Sequence, residues 1–128
     1  MYLLDTHYLI WLLYEPQKLS AKLTKIIENP DNDIFFSAMS IFEITIKESI
    51  GKLNVAPDFA HHLEESGLQS LPFLADHANW LRTLTLDIHK DPFDRALIAQ
   101  SVVEGINLVT KDKLILQYSK DLRNIKNL

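Results

Sequence analysis

The chain contains no cysteine. Disulfides and thiolate-bound zinc are therefore excluded, and a reducing compartment such as the cytoplasm is the expected setting. Glycine and proline are scarce, with 3 and 5 in 128 residues, and 47% of the chain is apolar. Neither disorder nor low complexity fits that composition. Long apolar runs are also missing. The run Tyr8–Tyr14 is too short to span a bilayer, and MYLLDTHYLIWLLYEP carries Asp5 and His7 but no basic start. No signal peptide and no membrane association are expected. Positive charge is in deficit, with 13 Lys and Arg against 17 Asp and Glu and a net charge of −4. A protein that grips nucleic acid by bulk charge would be basic. A nucleic-acid ligand would here need bound cations or a local basic patch. Residues 111–128 hold 5 basic and 2 acidic side chains, so Lys111, Lys113, Lys120, Arg123 and Lys126 form either that patch or an ordinary solvated surface.

What is present reads as one domain over residues 1–128, with short apolar strands alternating with longer helices. Tyr2–Leu4, Ile34–Ser37, Leu68–Leu71 and Asn107–Thr110 read as strands, and Leu122–Ile125 as an edge strand. Helices are expected over residues 7–14 with Thr6 as cap, over 19–28, from Ser40 to Gly51, over 57–66, over 74–84, from Asp91 to Gly105, and over 113–118. Buried strands of three or four residues between helices predict an α/β fold with a mainly parallel sheet covered on both faces. Sites in such sheets form outside the carboxyl ends of the strands. Asp5 follows the first strand, Ser40 and Glu43 follow the second, and Thr110 and Asp112 follow the fourth. Asp91 and Asp94 head the helix that leads into that strand. Acids far apart in sequence are thus expected at one edge.

Clustered carboxylates raise each other's pKa, and a divalent cation removes that conflict. Oxygen donors without cysteine or a histidine pair at metal spacing favour Mg²⁺ or Mn²⁺ and phosphate chemistry over zinc chemistry. Each acid also has a purely structural reading. Asp91-Pro92 has the form of an N-cap with proline at the first helical position. Asp94 then stands where the helix dipole favours an acid, yet it shares a face with Leu97, Ile98 and Ser101 and tips inward. Ser40-x-x-Glu43 fits a capping box, although Glu43 also heads the stripe of Ile46 and Ile50. Asp5 ends an apolar strand, where its structural alternative is a salt bridge to Arg95 or Lys47. Asp112 has the alternative of capping the helix after it. His61 and His62 adjoin and point apart. His7, His77 and His89 are expected as core or surface histidines, and Trp11 and Trp80 as core or interface aromatics rather than base-stacking platforms.

Three pieces of sequence, in order and spanning nearly the whole chain, carry a resemblance: LLDTHYLIWLL, SAMSIFEITIKESIGKL and HKDPFDRALIAQSVVEGINLVTKD. Together they resemble the PIN-domain ribonucleases of type II toxin–antitoxin systems, the VapC-like toxins. The resemblance implies a three-layer α/β/α sandwich and Mg²⁺- or Mn²⁺-dependent cleavage of RNA, with products ending in 5′-phosphate and 3′-hydroxyl. It puts the family's acids on Asp5, Glu43, Asp94 and Asp112. Thr110 falls on the hydroxyl of the T-x-D motif, and Asp91 on an acid frequent in DPFDR sequences. Lys90 stands where arginine is common and Ser101 where alanine is common; neither change removes a ligand. The expected chemistry is in-line attack on phosphorus by a metal-activated water, with Arg95, Lys47 or Lys111 positioning RNA and Ser40 and Thr110 lending hydroxyls. A homodimer, and an antitoxin that covers the site with a basic side chain, are implied as partners.

Other readings make separate demands. A phosphoacceptor receiver domain needs an acid pair after the first strand and an aspartate after a central strand; neither is present. A dehalogenase-type phosphatase needs D-x-D where Asp5-Thr6-His7 stands. A catalytically silent PIN-like module would lack one or more of the acids. A housekeeping PIN nuclease would have the same site, and a small gene overlapping or just upstream would favour the toxin reading.

Overall fold

The computed structural model describes residues 1–84 and 91–128, and His89 and Lys90 lie outside them. The strands are β1 (Tyr2–Leu4), β2 (Ile34–Ser37), β3 (Gln69–Leu71), β4 (Asn107–Val109) and β5 (Ile125–Lys126). They form one sheet in the order β3-β2-β1-β4-β5, and every pair is parallel. Parallel neighbours need crossovers, and helices supply them. These are α1 (Thr6–Tyr14), α2 (Ala21–Glu28), α3 (Ala38–Ser49), α4 (Phe59–Glu65), α5 (Ala75–Trp80), α6 (Pro92–Glu104) and α7 (Lys113–Leu116). Single 3₁₀ turns at Pro16–Lys18, Leu81–Thr83 and Gln117–Lys120 complete the set.

Strand alternation sorts the core into two layers. Leu4, Ile34, Phe36 and Val109 pack against Tyr8, Leu9, Leu23, Ile44, Phe59 and Leu63 of α1 to α4. Leu3, Leu71, Leu108 and Ile125 face the other way, onto Leu97 and Ile98 of α6, Ile115 of α7 and Tyr118. The result is the expected α/β/α sandwich, with a sheet that is parallel throughout. Tyr2 pairs with both Ile34 and Asn107, so β1 is central, and the strand order reverses between β1 and β4. A crevice opens at such a reversal, outside the carboxyl ends of the strands.

Several helix starts differ from the sequence expectation. Asp5, not Thr6, caps α1: its Oδ1 accepts the Thr6 N–H at 2.7 Å. Ser37, not Ser40, caps α3 by accepting the Met39 N–H at 2.9 Å, so Ser40 lies inside the helix and no capping box forms with Glu43. Both helices start directly at a strand end, and the cap is the residue at the junction. The helix expected from Leu19 starts at Ala21, after the 3₁₀ turn Pro16–Lys18, and is capped by Ser20, whose Oγ accepts the Leu23 N–H. Asp91 caps α6 as expected, accepting from the N–H groups of Phe93 and Asp94, and Gly105 ends it at φ 67°, where a side chain is strained.

Candidate metal-dependent active site

Asp5, Glu43, Asp91, Asp94 and Asp112 line one polar cleft of about 230 Å³, together with Thr6, His7, Ile10 and Lys47. The acids come from four places in the chain. Asp5 ends β1, Glu43 projects from α3, Asp91 and Asp94 head α6, and Asp112 caps α7. The crevice between β1 and β4 brings them together.

Asp5 is the deepest fixed of them. It is 4% exposed. Its Oδ2 accepts the Thr110 hydroxyl at 2.6 Å, and that hydroxyl in turn accepts the Asp112 N–H at 3.0 Å. The T-x-D spacing is thus a relay that ties the end of β4 to the end of β1. His7 Nδ1 lies 3.5 Å from the same Oδ2. Burial raises the Asp5 pKa above the carboxylate norm, and Glu43 adds to the rise. The Thr110 hydroxyl, His7 and the Thr6 N–H oppose it. The two ion-pair alternatives read from sequence do not form among the described residues: Asp5 faces His7, and Lys47 sits on Glu43.

Glu43 is buried, with its Oε2 2.9 Å from the half-exposed Lys47 ammonium one helical turn on. Its Oε1 is buried and has no hydrogen-bond partner among the described residues. A bare buried carboxylate oxygen is costly unless something fills it. Asp91 and Asp112 do two things at once. Each commits an Oδ1 to two N–H groups of its helix start, and each lines the cleft. The capping and cleft readings of these two aspartates are therefore compatible. Asp94 is buried in the first turn of α6.

The supporting residues divide. Thr110 holds Asp5, and the Ser40 Oγ accepts the Thr6 hydroxyl at 2.9 Å, one residue from Asp5. Arg95 does not line the cleft, and its Nε is buried without a partner among the described residues. His7 is no ordinary core or surface histidine: the structure puts it on the cleft wall beside Asp5. Only its position two residues past a strand-end acid signalled this. His61 and His62 pair with Glu65 and Asp58 on the surface, and His77 is buried between the Leu74 N–H and Glu104.

Among the described residues, no three His, Asp or Glu side chains converge into a ready-made metal cage. That is compatible with a hydrated hard cation, which takes one or two carboxylates and keeps several waters. Oxygen-only donors, a bare Glu43 oxygen and a destabilised Asp5 charge fit such an ion.

Comparison with known proteins bears directly on this arrangement. The family described as PIN domain matches residues 2–121. Ribonuclease VapC22 of Mycobacterium tuberculosis is 32% identical over 118 residues, covering 87% of this chain and 86% of that protein. The chain belongs to the PIN-domain family, among the VapC ribonucleases. A crystal structure of VapBC2 from Rickettsia felis, bound to a DNA fragment from its promoter, matches this PIN domain with a TM-score of 0.64. The match covers 97% of this chain and 94% of that one at 18% identity, and so concerns the fold.

Proposed function

We infer that this PIN domain is the toxin of a type II toxin–antitoxin pair and hydrolyses RNA phosphodiester bonds with the help of Mg²⁺ or Mn²⁺. The observation that carries the reading is the convergence of Asp5, Glu43, Asp94 and Asp112 on one cleft, with one buried Glu43 oxygen left bare. Membership among the VapC ribonucleases supports RNA as substrate and an antitoxin as partner.

Asp5, Glu43 and Asp94 would hold the cation, with Asp112 as the fourth candidate. When bound, the cation lowers the pKa of a water and screens the phosphodiester charge. The chain's own contribution is to hold the acids still. The Thr110 hydroxyl and the Thr6 N–H orient both oxygens of Asp5. Asp91 and Pro92 set the start of α6 and so the height of Asp94. Hydrolysis adds water oxygen to phosphorus and breaks the P–O3′ bond, leaving 5′-phosphate and 3′-hydroxyl ends. No side chain is required as nucleophile.

Lys47 illustrates how such a site is silenced. Its ammonium already occupies one Glu43 oxygen. A basic side chain delivered by an antitoxin would compete for the carboxylates in the same way. Phe42, Ile46 and Ile50 leave an apolar stripe exposed along α3, which supports a homodimer or another protein contact there. No helix among the described residues is long and apolar enough to cross a membrane; a cytoplasmic setting is part of the reading proposed here.

The test is cleavage of total RNA by antitoxin-free protein in Mg²⁺, Mn²⁺ or EDTA, beside Asp5→Asn and Asp94→Asn. The expected outcome is metal-dependent cutting that each variant loses by ~100-fold or more. Equal cutting by wild type and variants, or undiminished cutting in EDTA, would sink the reading.

A further inference from the structure

The cleft gathers the carboxylates of Asp5, Glu43, Asp91, Asp94 and Asp112, and among its described lining residues Lys47 is the single Lys or Arg. The Lys47 ammonium stands 2.9 Å from Glu43 Oε2, one helical turn along α3. Pairs at this spacing are common on helix surfaces and contribute little there. This pair differs in its burial. The Lys47 side chain is 48% exposed and that of Glu43 only 10%. A half-solvated ammonium thus reaches inward to a buried carboxylate whose other oxygen has no partner among the described residues. A charge at that depth is costly without a counter-charge.

Other acids of the cleft are held by neutral donors. Asp5 takes the Thr6 N–H and the Thr110 hydroxyl, and Asp91 and Asp112 each take N–H groups of their own helix. Such donors orient a carboxylate and leave its charge in place. The Lys47 ammonium cancels the charge and therefore competes with any cation for it. Glu43 also acts on its neighbour, since its charge helps push the Asp5 carboxyl up, so the two acids share one field. A divalent ion entering that field meets an ammonium already seated on Glu43, and like charges at such range repel. The flexible, half-exposed stem of Lys47 lets its head group leave without any change in the backbone.

We propose that Lys47 is a built-in counter-ion of the acid cleft: it covers the Glu43 charge until a divalent cation displaces it, and so sets the cation level at which the site loads. Resting on the metal-dependent nuclease reading, this adds a regulation of that same site. It also gives Lys47 a role other than the expected positioning of RNA.

The test titrates Mn²⁺, without RNA, into the full wild-type chain and three variants, and reads free Mn²⁺ by electron spin resonance. Lys47→Met is expected to bind Mn²⁺ about 10-fold more tightly. Lys47→Arg keeps the charge and should bind no more tightly than wild type. Lys52→Met removes the same charge from an exposed position outside the cleft and should change little, because solvent and salt screen it. Unchanged or weaker binding in Lys47→Met, or equal tightening in Lys52→Met, would overturn the proposal. A second reading needs no variant to fold. Acylation of wild-type lysines by a succinimidyl ester is followed by peptide mass spectrometry in EDTA and in Mn²⁺. Lys47 should react several-fold faster with Mn²⁺ bound and Lys52 at the same rate. Equal Lys47 rates would overturn the proposal as well. RNA cleavage is assayed separately. Metal-dependent cutting alongside unchanged Mn²⁺ affinity in Lys47→Met removes the counter-ion and spares the nuclease. Tighter Mn²⁺ binding in Lys47→Met, with RNA cut by neither chain, removes the nuclease and keeps the counter-ion. Absence of Mn²⁺ binding in every chain overturns both.

Discussion

Asp5 carries two conflicting demands. It caps α1 and anchors the cleft, yet it is buried in a place where ionisation is unfavourable. Its folded pKa lies above its ordinary value of 3.8. In the window between the two, the folded chain keeps a proton that the unfolded chain has lost, so stability falls as pH rises through it. At neutral pH the ionised carboxylate is a standing cost in the metal-free protein. Asp5→Asn should therefore raise the metal-free Tm at pH 7 by ~2–5 °C. The gain should shrink toward pH 4, while cleavage is lost. Thermal melts from pH 4 to 8 in EDTA check this; a variant less stable than wild type throughout would mean that the Thr110 and Thr6 bonds to the carboxylate outweigh its burial. Tyr8 nearby shows the same environment, since burial and the Asp5 charge push its phenol up to about 12.

At the scale of elements, the cleft depends on how α3 and α6 are held to each other, and one buried side chain does much of this. Gln100 of α6 accepts the Ser37 hydroxyl at 2.6 Å and donates to the carbonyls of Leu71 and Pro72. Ser37 caps α3, which carries Glu43; α6 carries Asp94; Leu71 ends β3. Gln100 thus joins three elements behind the site and sets the separation of two candidate ligands. Gln100→Leu leaves the Ser37 hydroxyl proton without its acceptor and takes the amide donor from two carbonyls, and should cost ~2–4 kcal/mol. Urea unfolding measures it, and a cost below ~1 kcal/mol would show that water replaces the amide. Element identity was largely legible in the sequence, because short apolar runs and periodic stripes differ plainly. Helix starts were less so. Ser37 and Ser40 are both good caps, and only the place where β2 stops decides between them.

For the whole molecule, strand order is what makes a site of the acids. The reversal between β1 and β4 opens the crevice, and α6 enters it from the opposite direction with Asp91 and Asp94 at its head. A cation held there binds the folded chain alone, so it stabilises by mass action, by about 1.4 kcal/mol at ten times its Kd. Mn²⁺ should accordingly raise the wild-type Tm by several degrees and leave Asp94→Asn nearly unmoved. Equal shifts in both would assign the metal effect to another place on the surface. The exposed stripe of Phe42, Ile46 and Ile50 belongs to this scale too, since it is a surface of the assembled fold and not of the site.

The sequence by itself determined the alternation of strands and helices, the two-sided burial of the sheet and the identity of the acids. Hydrophobic period and residue chemistry are local properties, and they survive being read one position at a time. Only the tertiary structure decided which groups the acids face: Thr110 and His7 on Asp5, Lys47 on Glu43, and two lysines on Trp11. The Asp5–Thr110 contact joins residues 105 positions apart. Such contacts depend on register and crossing geometry, which are set by the packing of the whole chain.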